Sequence, residues 1–380
     1  MENRKKKVLR IATVPLSLDL LLKGQLRMLN EEYEVVAVSS PGKELEKVAG
    51  REGVRTVAVG MERRISLFKD LVSLCRLIKV IRREKPWMVH TVTPKAGLLG
   101  MMAAWVCGVP VRVHTFTGLV FPTACGLKRK ILMATDRLTC ACATSINPEG
   151  KGVMNDLKRF GITRRDMKIV GNGNINGIDL EFFCRTPEVM EAAAKWRKEG
   201  SFTFCFVGRI VGDKGMNELA EAFGRLVAEY PACRLLLVGA FEEKLDPVSP
   251  EVKAFFENCG QVEFVGWQDD IRPFLAASDV FVFPSYREGF PNVVIQAAAM
   301  GVPSIVTDIN GCNEIICDGV NGVIVPSHDA DRLYEAMKRM REDGEAWANM
   351  SRKARASVAE RYERKYVWNE IKKFYAELDK

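Results

Sequence analysis

Apolar residues gather into short runs rich in Val and Ile, separated by longer stretches of helical period. In the first half the runs fall at 8–14, 35–39, 56–59, 88–92, 112–115, 143–146 and 168–170. In the second half they fall at 202–207, 234–238, 262–265, 280–283, 304–306 and 323–325. Most are apolar on both faces, the pattern of parallel strands covered on both sides by helices. Two such series predict an α/β chain of two doubly wound parallel sheets with right-handed crossovers. The polar, glycine-rich segment Gly171-Asn172-Gly173-Asn174-Ile175-Asn176-Gly177 can turn but cannot continue a strand. It sets an N-terminal domain at 1–172 and a C-terminal domain at 173–362. A helical tail spans about 346–378, and residues 363–380 are expected to pack back towards the N-terminal domain.

A chain of 380 residues is long for one ordinary α/β domain and comfortable for two. No stretch approaches the ~18 unbroken apolar residues of a membrane span. The start, Met1 to Lys7, is basic, but the apolar run behind it is broken by Arg10 and ended by Pro15. It is not a secretory core, and a cytoplasmic protein is expected. The eleven cysteines are scattered. Cys140-Ala141-Cys142 lacks the two-residue spacing of zinc or redox sites, so reduced cysteines used as small apolar residues are expected.

Charge is unevenly spread. Residues 1–180 hold 31 Lys and Arg against 16 Asp and Glu, or +15, while residues 181–380 hold 25 against 32, or −7. The basic half should attract an anionic partner such as acidic lipid or a pyrophosphate. Nucleic acid is not expected, because no helix-turn-helix, zinc or aromatic stacking signature is present. A nicotinamide-dependent dehydrogenase is disfavoured: Pro15-Leu16-Ser17, not a G-x-G-x-x-G turn, follows the first strand.

In open parallel sheets ligands sit beyond the carboxyl ends of strands, so loops after strands carry the most weight. With two facing domains, both sets of ends can line one cleft. Phe206-Val207-Gly208-Arg209 ends a strand, and a helix begins near Lys214-Gly215-Met216. Gly208 admits close backbone approach, and Arg209 and Lys214 can clamp two phosphates beside a helix N-terminus. The string from Pro284 to Gly301 follows another strand. Its Glu288 can bond sugar hydroxyls, Gly289 and Phe290 can offer backbone N–H groups, and Gln296 lies one helical turn in, within reach of a ribose. Asp269-Asp270 reads as a helix cap rather than a metal motif.

These two strings resemble the diphosphate clamp and the Glu-seven-residues-Glu motif of family 4 glycosyltransferases, which have the GT-B fold of two Rossmann-like domains. Further matches are Gly266-Trp267 before Asp269-Asp270-Ile271, Ser278-Asp279-Val280, Thr307-Asp308 before Gly311-Cys312-Asn313-Glu314, and the 318–326 segment. The resemblance is strong over about 170–330 and looser over 1–170. It implies a retaining transferase that moves a hexose or N-acetylhexosamine from a nucleotide diphosphate sugar, expected to be a UDP-sugar, without a metal or other cofactor. The implied catalytic residues are Arg209, Lys214 and Glu288. The implied donor contacts are Gly208, Gly289, Phe290, Pro291, Asn292, Gln296 and Trp267. The implied acceptor contacts are Lys23, Gly24, Lys95, Thr117 and Gly118.

The sequence departs from the family twice. The second Glu of the motif is Gln296, which keeps one acceptor and trades the other for a donor, at a cost of about 1 kcal/mol or less. Thr117 stands where many relatives have a His, and His114, three residues earlier, reads as a packed strand residue. The resemblance also implies a lipid-diphosphate-linked saccharide acceptor in surface polysaccharide synthesis. The mixed apolar and basic run Leu127 to Met133 would then dock the N-terminal domain on the inner face of the cytoplasmic membrane. Competing readings are a nucleotide-sugar epimerase of the same fold and a catalytically silent GT-B subunit.

Overall fold

The apolar runs fold into two six-stranded parallel sheets of identical winding. The computed structural model describes residues 5–62, 66–242 and 246–380, so Met1–Arg4 of the basic start lie outside it. Sheet 1 holds β1 (Lys7–Ile11), β2 (Glu34–Ser39), β3 (Arg55–Ala58), β4 (Met88–Val92), β5 (Val111–Phe116) and β6 (Ser145–Pro148), in the order β3-β2-β1-β4-β5-β6. Sheet 2 holds β7 (Phe202–Val207), β8 (Cys233–Val238), β9 (Val262–Gly266), β10 (Val280–Phe283), β11 (Ser304–Thr307) and β12 (Gly322–Val325), in the order β12-β11-β10-β7-β8-β9. In each sheet the winding reverses between the first and fourth strands. The crevice beyond the carboxyl ends at such a switch point is where this architecture takes its ligands.

The chain divides into unit 1, residues 1–177 with 365–380, and unit 2, residues 178–364. The division falls just after Gly177 rather than at 172/173 because 171–177 is tied to unit 1. Asn174 N–H donates to the Glu149 carbonyl at 3.0 Å, and the Ile175 carbonyl accepts from the Gln25 amide at 2.7 Å. The helical tail is two helices, Gly344–Tyr362 and Arg364–Glu377. Between them Glu363 is extended and bridges Ile178: Ile178 N–H donates to the Tyr362 carbonyl at 2.7 Å, and Arg364 N–H to the Ile178 carbonyl at 2.9 Å. The run at 168–170 adds no strand. Only Met167 bridges Ile146, and the Lys168 carbonyl is taken by the Asn147 side chain.

Alternation along the strands of sheet 1 fills both faces. Leu9 and Ile11 pack with Leu77, Ile81 and Leu99, while Val8 and Ala12 pack with Leu18, Leu26 and Phe374. The last helix buries Val367, Ile371, Phe374 and Tyr375 on that second face, the spacing of an apolar helical stripe. Each such side chain stabilises by about 1.5–3 kcal/mol.

A polar line runs through this face. Arg10, 1% exposed on β1, donates to the Tyr375 hydroxyl at 3.1 Å and to Gln25 Oε1 at 3.0 Å. Asn147 Oδ1 accepts from Thr115 Oγ1 at 2.9 Å, so Thr115 in turn accepts from His90 Nε2 at 2.7 Å. His90 Nδ1 is then the acceptor of the Tyr375 proton at 2.7 Å. One directed chain of donors thus joins β1, the final helix, β4, β5 and β6, and fixes His90 as its neutral Nε2–H tautomer. Burial, the Arg10 charge and then His114 all hold the His90 pKa well below its usual value.

Candidate active site

The two motif-bearing loops follow β7 and β10, the pair at the switch point of sheet 2. After β7 the chain makes a short 3-10 turn at Gly212–Lys214 and enters the helix Met216–Glu229 through Gly215, at φ 69°. A Cβ at Gly215 would run into the Pro284 carbonyl, so only glycine lets the two loops touch backbone to backbone. Tyr286 N–H donates to the Asp213 carbonyl at 2.9 Å, and the Arg287 guanidinium pairs with Asp213 at 2.6 Å, closing the contact.

That closure brings Lys214 Nζ onto Glu288 Oε1, which also accepts from Ser285 Oγ at 3.0 Å. Arg209, largely exposed, pairs with Glu242 in the loop after β8 at 2.5 Å. Both cations of the expected clamp are therefore present, each holding a carboxylate. Beneath the Lys214–Glu288 pair lies fully buried Cys312. Burial, then the Glu288 charge, raises its thiol pKa well above the usual value and keeps it protonated. It is a packing residue, not a nucleophile.

Glycine ends β7, β8 and β9 in register. Gly208 N–H donates to the Val238 carbonyl at 3.0 Å, Gly239 N–H to the Gly266 carbonyl at 2.9 Å, and a Cβ on Gly239 would strike the Gly208 carbonyl. The result is a ledge without side chains along the carboxyl edge of the sheet, with Trp267, 57% exposed, at its far end. On the β10 side, Phe290 is buried against the Tyr362 ring. Pro291 precedes the helix Asn292–Ala299, which has no side-chain N-cap, so its first amides face the loop. Gln296 is half-buried, and its amide makes no hydrogen bond among the described residues.

The expected acceptor residues of unit 1 fall in two places. Thr117 and Gly118 follow β5, and Lys95 opens the helix after β4. Lys95 is tied to Asp70 at 2.7 Å, with both side chains mostly buried. Lys23 and Gly24 do not directly follow β1, because the helix Pro15–Leu21 intervenes. Gly24 N–H donates to the Glu52 carboxylate at 2.9 Å, and a Cβ there would meet the Trp368 ring at 2.9 Å. His114 is a packed strand residue, 2% exposed, with Nδ1 at 2.8 Å from Thr91 Oγ1 and its ring edge-on to Phe116.

Sequence reasoning missed three features. At the unit 1 switch point Thr13 and Thr93 join hydroxyl to hydroxyl at 2.8 Å, and Thr93 takes φ 71°, a strained value for a β-branched residue. No local signal announces it, since a following proline favours extended backbone of negative φ. Glu242, partner of Arg209, carried no motif. Leu67, Phe68 and Leu71 stand exposed on the helix Leu67–Glu84 and were not singled out, whereas Leu127 and Ile131, exposed on Gly126–Cys142, belong to the run the sequence had marked. Both helices pack on Pro94–Val106. Among the described residues no helix is long and apolar enough to cross a membrane, and no cluster of His, Cys, Asp and Glu could hold a metal ion.

Residues 201–343 match the family model of glycosyl transferases group 1, and residues 24–173 that of the glycosyl transferase 4-like domain. The chain is 30% identical over 374 residues to the capsular polysaccharide biosynthesis glycosyltransferase CapM of Staphylococcus aureus, covering 98% of this chain and 97% of that one. It is 31% identical over 296 residues to an Escherichia coli UDP-Gal:alpha-D-GlcNAc-diphosphoundecaprenol alpha-1,3-galactosyltransferase, covering 74% and 73%. Among solved structures, Anabaena HepE in complex with UDP and glucose superposes with a TM-score of 0.83 at 16% identity, over 98% of this chain and 100% of that one. It is a likeness of fold.

Proposed function

The chain belongs to the glycosyl transferases of group 1, and from that premise we propose that it moves a hexose or N-acetylhexosamine from a UDP-sugar to a lipid-diphosphate-linked saccharide, with retention. The observation that carries this reading is the pairing of Lys214 with Glu288 at the switch point of sheet 2, with Arg209 on the same loop as Lys214. The donor diphosphate exchanges with the carboxylates on Arg209 and Lys214. Glu288, released, accepts from hydroxyls of the donor sugar. The amides from Gly289 to Asn292 receive sugar and phosphate oxygens, Gln296 the ribose, and the glycine ledge with Trp267 the flat base.

The sugar C1–phosphate bond breaks as the C1–acceptor oxygen bond forms on the same face, and the acceptor hydroxyl proton passes to the departing phosphate oxygen. Charge grows on that phosphate, where two fixed cations stabilise it. They supply what the leaving group needs, so the reading calls for no metal. Retention without a covalent intermediate suits a site in which Glu288 is held by Lys214 and Ser285 and Cys312 stays protonated. The acceptor class is supported by the lipid-linked substrate in the name of the Escherichia coli relative. It is also supported by the exposed Leu67, Phe68, Leu71, Leu127 and Ile131 beside Lys128 and Lys130. This mixed surface suits the anionic inner face of the cytoplasmic membrane.

Melting temperatures with UDP-, GDP- and ADP-sugars test the donor, since stabilisation follows ligand concentration over Kd. A shift with none of them removes the donor reading. Transfer to a polyprenyl-diphosphate saccharide in acidic liposomes tests the acceptor. Full activity on a water-soluble glycan with no lipid dependence would replace it.

A further inference from the structure

Unit 2 carries a second cationic cavity, at the opposite end of its sheet from the donor loops. Its walls include Ser278 and Asp279, which lead into β10, and Gly301, which precedes β11, so it opens at the amino ends of the strands. It measures about 440 Å³, within the range of small-molecule sites. Three guanidiniums line it, from Arg185, Arg197 and Arg355, against one carboxylate, Asp279.

The hydrogen bonds show which of these groups are spent. Asp279 accepts from the Thr203 N–H at 2.8 Å and from Arg197 Nη2 at 3.1 Å. Its carbonyl accepts from Trp347 Nε1 at 2.9 Å, which fixes the indole in the wall. Arg355 is used up on the carbonyls of Leu180, Phe183 and Ala299. Arg185 donates only through Nε, to the Met300 carbonyl at 2.9 Å. Among the described residues both Nη groups of Arg185 and the Nε and Nη1 of Arg197 have no partner. Arg185 as a whole is exposed, yet desolvation of its guanidinium, and after it the Arg197 charge, lowers its pKa. Arg185 thus faces the cavity with its fork unspent, and Arg197, paired with Asp279 through Nη2, keeps its remaining edge for a ligand. Their forked donors match the oxygens of a phosphate, and the indole offers a flat surface to whatever carries it.

We propose that this cavity is a binding site for a small phosphorylated molecule, distinct from the donor site, with its phosphate between Arg185 and Arg197 and its body against Trp347. The site does not depend on the transferase reading.

The test uses the full chain carrying R209A and K214A, so that donor-site binding of phosphate is removed. Inorganic phosphate, glucose 1-phosphate and glucose are titrated by calorimetry and thermal shift. Both phosphates are expected to bind, glucose 1-phosphate the tighter, and glucose not to bind. Adding R185M or R197M should weaken phosphate binding at least tenfold. Arg185 makes one hydrogen bond and is exposed, so R185M should fold, and an unchanged melting temperature without ligand verifies it. Equal affinity for the two phosphates would make free phosphate the ligand and remove the Trp347 contact. No binding of either up to about 10 mM, where even weak ligands stabilise measurably, or binding untouched by R185M and R197M, overturns the site.

Discussion

Lys214 and Glu288, 74 residues apart in sequence, form an ion pair at the one place where the first and fourth strands of sheet 2 lie side by side. The winding brings them together: each sits in the loop after its strand, and Gly215 lets those loops touch. On the proposed binding mode, the donor exchanges this pair for two new partners, a phosphate for Lys214 and a sugar hydroxyl for Glu288.

On the proposed mechanism, replacing Lys214 by Ala removes a cation aimed at charge that grows in the transition state. Turnover should fall by about 10²–10³, the ~2.7–4 kcal/mol lost when one preorganised donor is deleted, with a smaller change in the donor KM. Steady-state transfer kinetics read both constants, and unchanged turnover would remove Lys214 from the mechanism.

Glu242→Gln separates competition from orientation. Glu242 holds Arg209 in a partly exposed pair, and such pairs are worth about 0.2–1 kcal/mol. Freeing Arg209 should tighten UDP-sugar binding by about 1.5–5-fold, measured as Kd. Weaker binding would mean that Glu242 positions Arg209 for the phosphate instead of competing with it.

Gln296→Glu restores the second acidic residue of the family motif. The Gln296 amide has no partner to lose among the described residues, so on the proposed binding mode the exchange replaces one ordinary ribose hydrogen bond with another. Donor affinity should rise by about fivefold at most. A gain well beyond tenfold would show that the carboxylate makes a contact the amide cannot.

Acid should loosen unit 1. Burial holds the His114 pKa down to about 3, and burial, Arg10 and His114 hold that of His90 well below its usual value. Both are neutral when folded and protonate when unfolded below about pH 6.5, so their contribution is full above that pH and fades as pH falls. Asp136 works the other way. Burial raises its pKa to about 7, so the fold gains on acidification from about 7 towards 4. Two histidines against one aspartate leave a net loss of stability between pH 6.5 and 5. Thermal melts across that window should show it, and His114→Gln should flatten the slope. An unchanged slope in that variant would place the loss elsewhere.

The strand pattern and both motif loops were readable because their cause is local. A short β-branched run apolar on both faces and bounded by turn residues fits a covered parallel strand better than a helix, and Gly-Arg or Glu-Gly after such a run marks its carboxyl end. What could not be read was pairing at a distance. Arg10 looks like an interruption of the first apolar run, yet it is buried and donates to Tyr375, 365 residues on. Lys95 looks free for a ligand until Asp70 is placed beside it. The break at Glu363 carries no Gly or Pro, because its cause is the Ile178 bridge and not local propensity. In the cavity at the amino ends of sheet 2, Arg185 and Arg197 belong to no motif. Only the fold brings them to one wall.

Unit 1 is built from both ends of the chain, and this imposes an order on its synthesis. Residues 365–380, which carry Tyr375, leave the ribosome only after the 187 residues of unit 2. At about 5–20 residues per second that is a delay of roughly 10–40 s. Throughout it the Arg10 guanidinium lacks its tyrosine and an apolar face of sheet 1 stands open. Unit 2, whose residues are contiguous, can close first, so the half of the protein made second is the half that can finish first. For those seconds the nascent N-terminal half exposes apolar surface of the kind that chaperones hold.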